Sequence, residues 1–305
     1  MWCMRMSDLV DVIIIGGSHA GLAAALSLGR ATRDVLIIDD GKPCNQQTPR
    51  AHNFITQDGS APADILATAK NQVLKYPTVK FIDGKAVDAN QKDNLFEVHT
   101  SNNQKFTAKK LLFSTGLTDK MPDIAGFQEC WGISILHCPF CHGYEFGNQK
   151  TGLLANGVIA YEYLKTINNW TDDITIFTNG KALFHADQLA KIREKNISII
   201  ESEIEFINHE NGQIKNITFK DKTTFELKAL YVRPHFEQQC ELPEKLGCTI
   251  NEHGLFDADI FQKSCVPGVF VAGDNSTVGR SVSVSVAAGA IAGMFITKEI
   301  IEEEF

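Results

Sequence analysis

A strand, a glycine-rich turn, a helix and a second strand ending in an acid open this chain and leave few folds available to it. Val10 to Ile15 is apolar and β-branched, and Gly16-Gly17-Ser18-His19-Ala20-Gly21 follows at once. Leu22, Ala25, Leu26, Leu28 and Gly29 then predict a helix with a small-residue face, and the strand Asp34 to Ile38 ends in Asp39. This is the pattern of a dinucleotide-binding βαβ unit. Gly16 permits the tight turn, and Gly21 lets the helix close on the strand. Backbone N–H groups at the helix start can receive a pyrophosphate, and Asp39 is placed to accept hydrogen bonds from ribose hydroxyls. Ser18 stands where the fingerprint has its middle glycine.

At 305 residues the chain is long enough for two domains, each with its own core. After the first unit comes the polar turn Asp40-Gly41-Lys42-Pro43-Cys44-Asn45, then His52-Asn53-Phe54, in a loop that either closes over a ligand or is solvated. Ala63 to Leu74 predicts an amphipathic helix. Strands are expected at Val79–Phe81, Lys85–Ala89, Leu95–Thr100, Lys105–Ala108 and Leu111–Phe113, the last running into Ser114-Thr115-Gly116. Pro122 and Gly126 mark a linker.

Beyond it, Lys150 to Ala155, a helix through Trp170 and the strand Ile174–Phe177 predict a second βαβ unit. Its turn, Ala155-Asn156-Gly157-Val158-Ile159-Ala160, is a degraded fingerprint. Thr178-Asn179-Gly180-Lys181 follows, where a 2′-phosphate would call for arginines. A helix Lys181–Lys195 and strands at Ile197–Ile200, Ile204–Asn208, Ile214–Lys220 and Thr224–Val232 complete this module. Near Arg233-Pro234 the chain returns to the first domain. There Val269 to Ala272 forms a strand ending in Gly273-Asp274, and a helix from about Ser283 packs through Ala287, Ala288, Gly289 and Ala292. The expected domains are 1–117, the inserted 118–234, and 235–305.

Just past the linker lies His137-Cys138-Pro139-Phe140-Cys141-His142. Three readings compete for it. Two cysteines at this spacing form a redox-active dithiol, whose thiolate is favoured by a helix start or a nearby imidazolium. The same residues offer zinc ligands, and Cys-x-x-Cys-His is also a haem attachment pattern.

Composition narrows the setting. Lysine and arginine number 29 against 37 acids, a net charge of -8, so neither nucleic acid nor an anionic membrane is expected as partner. Eight cysteines (3, 44, 130, 138, 141, 240, 248 and 265) are spread along the chain, which points to a reducing, cytoplasmic compartment. Residues 1–7 have no apolar run of a secretory signal, with Met4 or Met6 as alternative starts; the haem reading loses its support with that. The uncharged stretch Ser281 to Thr297 contains Gly289-x-x-x-Gly293, a membrane dimer motif in form. It is short for a span and rich in hydroxyls, so a buried helix is expected instead.

Taken together, Gly-Gly-Ser-His-Ala-Gly, Ser114-Thr115-Gly116, Cys-Pro-Phe-Cys and Val271-Ala272-Gly273-Asp274 resemble the low-molecular-weight thioredoxin-reductase-like flavoproteins over essentially the whole chain. The resemblance implies an α/β, two-domain Rossmann-like FAD/NAD(P)-binding fold of the three-layer ββα kind, the second domain inserted in the first. It implies FAD, an NADPH site in the inserted domain, and a homodimer. By motif, Gly16 and Ser18, His19, Ala20 and Gly21 would face the pyrophosphate. Asp39, Asp40, Lys42, Cys44 and Asn45 would hold the adenosine half, with His52 and the Val87 backbone as further contacts. Thr115 and Gly116 would line the same cofactor, Gly273 and Asp274 would bind the ribityl chain, and Ser281 and Val282 would approach the isoalloxazine. Cys141 would face the flavin, and Cys138 would react with substrate.

Two departures set the functional question. Thioredoxin reductases proper carry an aspartate directly after the second cysteine, and here it is His142. The dithiol oxidases of gliotoxin and holomycin type are similar in having histidine there, together with an eroded nicotinamide site and oxygen as acceptor. An imidazole can take a thiol proton at neutral pH, so Cys138, Cys141 and His142 are the expected catalytic residues. The partner is then either a protein disulfide such as thioredoxin, reduced with NADPH, or a small-molecule dithiol oxidised without it. A flavin redox sensor and a zinc module are the remaining readings, and no metal is expected.

Overall fold

The computed structural model describes residues 9–305; Cys3 and the starts at Met4 and Met6 lie outside the described residues. The chain forms two units. One comprises the residues up to Gln46 with Asn53–Thr118 and Phe236–Phe305, and the other Gln47–His52 with Asp119–His235.

The first unit begins with β1 (Leu9–Ile15), α1 (His19–Arg30), β2 (Val35–Asp39), α2 (Pro62–Val73), β3 (Val79–Asp83), β4 (Ala86–Lys92), β5 (Leu95–Thr100) and β6 (Lys105–Phe113). After β7 (Leu117–Lys120), the second unit supplies α3 (Phe127–Cys130), β8 (Ile135–Leu136), α4 (Pro139–His142), β9 (Thr151–Leu154), α5 (Gly157–Ile167) and β10 (Ile174–Phe177). It continues through α6 (Ala186–Glu194), β11 (Ser198–Ile200), β12 (Ile204–Glu210), β13 (Gln213–Phe219), β14 (Thr224–Glu226) and β15 (Ala229–Val232). β16 (His235–Gln238) leads back to α7 (Leu242–Lys245), β17 (Val269–Val271) and α8 (Val282–Glu304).

In the first unit the strand order is β3-β2-β1-β6-β5-β4, with β17 also on β6. β1 runs parallel to both β2 and β6. The near-continuous apolar runs of β1, β2 and the end of β6 have the signature of strands buried on both faces. Val12, Ile14, Val35, Ile37 and Leu112 pack under helix residues such as Ala24, Leu28, Ala292 and Ile296. The alternate residues Ile13, Ile15, Leu36, Ile38 and Leu111 pack on Phe96, Val98 and Phe106. Each such buried aliphatic side chain contributes about 1.5–3 kcal/mol. A helical layer, the parallel sheet and the β4–β5 meander thus make three layers.

Sequence pattern and structure differ at β6. Lys105–Ala108 and Leu111–Phe113 are one strand, whose first part pairs antiparallel with β5 and whose end pairs parallel with β17. Lys109 and Lys110 interrupt the apolar pattern but not the backbone. Lys110 is buried, and its Nζ lies 2.7 Å from Glu299 and 2.5 Å from Glu303 of α8.

α8 is long and apolar enough to cross a membrane by length and composition, and in the structure it lies against α1. A Cβ on Gly289 would sit 2.0 Å from the Ala20 carbonyl oxygen, and one on Gly293 would sit 2.6 Å from that of Ala24. Both glycines therefore serve a close helix–helix approach. The buried stripe is Ser285, Ala288, Gly289, Ala292, Gly293, Ile296 and Ile300; Ala287, read as a packing residue, is exposed.

The second unit repeats the layering on a smaller scale. Its parallel sheet, β11-β10-β9-β15-β8, has α5 and α6 residues such as Ala160, Leu164 and Ile192 on one face. Ile204, Ile207, Ile217 and Phe219 of the β12-β13-β14 meander lie on the other. The stretch Thr224–Val232 is two strands in two sheets, because β14 pairs with β13 and β15 with β9. α5 stops at Ile167, short of Trp170. α6 begins only at Ala186, with the Gln188 side chain accepting the His185 N–H at 3.0 Å. Residues 181–185 are loop.

Candidate active site

In the first unit the residues expected to hold a cofactor meet at the carboxyl ends of β2, β1, β6 and β17. Gly16 has φ +101°, and a Cβ there would lie 2.4 Å from the Ser114 carbonyl oxygen. A Cβ on Gly21 would lie 2.0 Å from the Gly16 oxygen. Ser114 Oγ donates to that same oxygen at 2.7 Å. The turn is thereby fixed, with glycine where a Cβ would strike the Ser114 and Gly16 carbonyls, and with the Phe81 ring closing on Gly17. Ser18 at the helix start makes no side-chain cap, and the first turn of α1 carries no acid, so its leading amides remain available to an anion.

Asp39 accepts from the Gly17 N–H at 2.8 Å and from the Gly41 N–H at 3.2 Å. Both carboxylate oxygens keep lone pairs for hydroxyl donors. Beyond it, Asp40, Lys42 and Cys44 are exposed and Asn45 is half-buried. Asp274 accepts from Ser285 Oγ at 3.0 Å and faces the Cys44 Sγ at 3.9 Å and the Arg280 Nε at 3.6 Å. Gly273 sits against Ala20, where an added Cβ would come within 3.0 Å of the alanine Cβ. Ser281 caps α8 by accepting the Val284 N–H at 3.2 Å, with Val282 next to it as the first helical residue.

Three buried polar atoms around these strand ends make no hydrogen bond within the chain: His19 Nε2, Thr115 Oγ1 and Asn275 Oδ1. Thr115 and Gly116 follow β6 directly. Burial pulls the His19 imidazole down to about 4, so the ring is neutral at pH 7. Glycine turn, uncapped helix, terminal acids and orphaned polar atoms together fit a bulky polar cofactor carrying a pyrophosphate. Val87 lies at the irregularity of β4 between Ala86 and Asp88 with its side chain exposed.

In the second unit Cys138 and Cys141 form a disulfide with Cα atoms 5.3 Å apart. Cys138 is the N-cap of α4, and its Sγ accepts the Cys141 N–H at 3.2 Å. Pro139 takes the first helical position, where its missing N–H costs nothing. An amide aimed at Cys138 Sγ would also favour the thiolate once the bond is reduced. Phe140 is exposed and meets Trp170 edge-on at 5.3 Å, and Tyr144 is exposed one turn later. Among the other thiols, burial pushes Cys130 up to about 11 and raises Cys240 and Cys248 as well. Those three stay protonated and unreactive at neutral pH.

His142 closes α4. Burial lowers its pKa, Glu145 opposes that, and His52 adds to it, so the ring is a neutral proton acceptor at pH 7. His137 points elsewhere, stacking on Trp131 at 5.6 Å while its carbonyl accepts from Tyr163. His52, read from the sequence as a cofactor contact, belongs to the Gln47–His52 segment of this second unit. Its Nε2 is 3.4 Å from Glu145, and its ring stands edge-on to His142 at 6.3 Å. Glu145 carries no signal in the sequence beyond lying near the cysteines. Among the described residues no cluster of three or more His, Cys, Asp or Glu could hold a metal ion.

The degraded fingerprint of the second unit is occupied by its own chain. Asn156 caps α5, its Oδ1 accepting from Gly157 N–H at 2.8 Å and Leu183 N–H at 2.9 Å, while its Nδ2 donates to Lys181 O at 2.9 Å. Glu201, at the end of β11, accepts the Ala182 N–H at 2.7 Å. The loop after β10 is thus tied across the start of α5, with a carboxylate beside it. Asn156 is a favoured N-cap residue; reading it only as a fingerprint position hid this role.

The description pyridine nucleotide-disulphide oxidoreductase matches residues 10–289. "Thioredoxin reductase tcpT" of Claviceps purpurea is 29% identical over 311 residues, covering 98% of this chain and 97% of that protein. The crystal structure of putative thioredoxin reductase TrxB from Bacillus anthracis is similar at TM-score 0.92 and 30% identity, over 97% of this chain and 100% of that one. The crystal structure of HlmI is similar at TM-score 0.93 and 28% identity, over 99% and 95%.

Proposed function

The chain belongs to the pyridine nucleotide-disulphide oxidoreductase family, a membership that implies FAD, and on that premise we propose that it is a dithiol oxidase acting on a small molecule through Cys138 and Cys141. The observation that carries the proposal is the tied loop at the head of α5. Asn156 already takes the amide that a nucleotide phosphate would use, and Glu201 sets negative charge where a 2′-phosphate needs a cation. Only Lys181 is at hand to offset it. These residues do not fit NADPH. A dithiol substrate supplies its own electron pair and needs no such site.

In this reading a substrate thiol gives its proton to the His142 ring. The resulting thiolate attacks Cys138 Sγ, the Cys138–Cys141 bond breaks, and Cys141 leaves as thiolate. His142 passes that proton to solvent and takes the one on the second substrate thiol, whose thiolate attacks its partner sulfur and releases Cys138 as thiolate and the product disulfide. Gly16, Ser18 to Gly21, Asp39, Thr115, Asp274 and Ser281 would hold FAD, which would supply the two-electron chemistry for returning the reduced cysteines to the disulfide with oxygen as acceptor and hydrogen peroxide as its product. The Cys141 N–H stabilises charge on Cys138 Sγ while it is reduced, and exposed Phe140 and Tyr144 offer apolar surface to a small organic substrate. The proposal includes a homodimer in the cytoplasm.

Anaerobic titration of the purified protein, followed by flavin absorbance, separates this from an NADPH-dependent reductase of thioredoxin-like disulfides. Bleaching by a small dithiol and none by stoichiometric NADPH is the expected result. Bleaching by NADPH at low equivalents would overturn the oxidase proposal in favour of the reductase.

A further inference from the structure

We propose that His52 and Glu145 form a positioning pair behind His142, setting the proton-accepting state of the imidazole beside the Cys138–Cys141 bond. The inference rests on the reading of His142 as the acceptor of a thiol proton. Three groups from two stretches of chain converge here. The His52 Nε2 is 3.4 Å from the Glu145 carboxylate, and the His52 ring meets the His142 ring edge-on at 6.3 Å. His52 is the less accessible member of the pair, its side chain 18% exposed against 37% for Glu145, so the contact is partly shielded from solvent and from salt.

The chemistry of the pair follows from its order. When His142 takes a thiol proton it becomes an imidazolium and needs a negative neighbour. Glu145 supplies one, which favours the charged ring. His52 works in the other direction, since it engages the same carboxylate and is itself a second basic ring. Among the described residues these are the charged or titratable groups acting on His142; Tyr231 of β15 acts on them in turn, lying close enough to Glu145 to feel its charge. Glu145, held on His52 and acting on His142 through its charge, lets His142 remain neutral before the reaction and still be stabilised when it charges. The proton moves from the substrate sulfur to a His142 ring nitrogen, and no bond to His52 or Glu145 forms or breaks.

The test is the pH dependence of flavin bleaching by dithiothreitol in the absence of oxygen, measured on the flavin-loaded protein. This half-reaction is independent of the terminal acceptor, so its outcome is separate from that of the NADPH titration. Its acid limb reports His142. His52→Gln frees Glu145 for His142, and the limb is expected to move to higher pH by about half a unit or more. Glu145→Gln removes the negative neighbour and is expected to move the limb to lower pH. Opposite shifts support the pair, because a merely structural loss would lower the rate in both variants without displacing the limbs in opposite directions. Shifts of the same sign, or none, overturn it. His142→Asn serves as the control for the underlying reading: a limb that persists unchanged there shows that His142 is not the acceptor.

Discussion

Replacing His19 by glutamine removes a titrating ring from the first turn of α1 and changes how the fold responds to acid. His19 is 8% exposed, its Nε2 has no hydrogen-bond partner within the chain, and burial lowers its pKa from 6.5 to about 4. Unfolded, the ring takes a proton near pH 6.5; folded, it resists protonation until about pH 4. Between these values the unfolded chain binds more protons, so stability falls as pH falls, and below about 4 the loss is complete. At about 1.36 kcal/mol per pH unit the full window is worth about 3 kcal/mol, all of it present above pH 6.5. Urea unfolding of wild type and His19→Gln at matched flavin occupancy, from pH 7.5 down to 4, measures it. The wild type should lose about 3 kcal/mol more than the variant across that range. Parallel stability curves would refute the reasoning, since they would mean that the folded ring titrates as the unfolded one does.

Gly289→Ala should destabilise the first unit by about 3 kcal/mol or force α8 away from α1, because its Cβ would lie 2.0 Å from a backbone oxygen with no flexible group to yield; thermal melting and flavin content report both. Cys141→Ser should abolish electron transfer between dithiol and flavin while leaving the flavin spectrum in place, and wild-type turnover by that variant would remove Cys141 from the mechanism. Lys110→Met should cost about 2 kcal/mol in urea unfolding, because Glu299 and Glu303 lose their buried cation. Glu299 keeps Lys263 at 2.6 Å, which limits the loss.

Where local pattern and tertiary partner agree, the sequence is readable. β1, β2 and β17 are apolar on both faces and punctuated by glycine, so their existence and burial follow from composition alone. Lys109 and Lys110 broke that pattern in β6, because the acids that accommodate Lys110 lie on α8, far away in the sequence. Residues 181–185 read as helix because nothing local marks them as tied; the amides of Ala182 and Leu183 are taken by Glu201 and Asn156. The site divides along the same line. Cys138, Cys141 and His142 form one short motif and are visible as such. His52 and Glu145 meet only through folding, and nothing local in the sequence pairs them.

The glycine contact between α8 and α1 has an electrostatic side. Ala20 and Ala24 step along α1 as Gly289 and Gly293 step along α8, so the two helices run in the same direction, with the start of α8 about 9 Å further out along the axis than that of α1. With about half a charge at each end, axes about 8 Å apart and that stagger, like ends about 12 Å apart repel by roughly a third of a kcal/mol at an effective dielectric constant of about 20. At the far end Arg33, Lys109 and Lys110 gather the acids Glu299, Glu303 and Glu304 of α8, so acids that would add to the negative pole of α8 are paired by the chain. At the positive poles the acids come from outside the helices: neither first turn carries one, but Asp274 sits on Ser285 Oγ of α8 and Asp39 on the Gly17 N–H before α1. An anion bound there turns a repulsion into an attraction shared by two helices. An anionic ligand at these helix starts therefore has to sit beside two carboxylates, and the stability of the first unit is coupled to how its charge balances theirs.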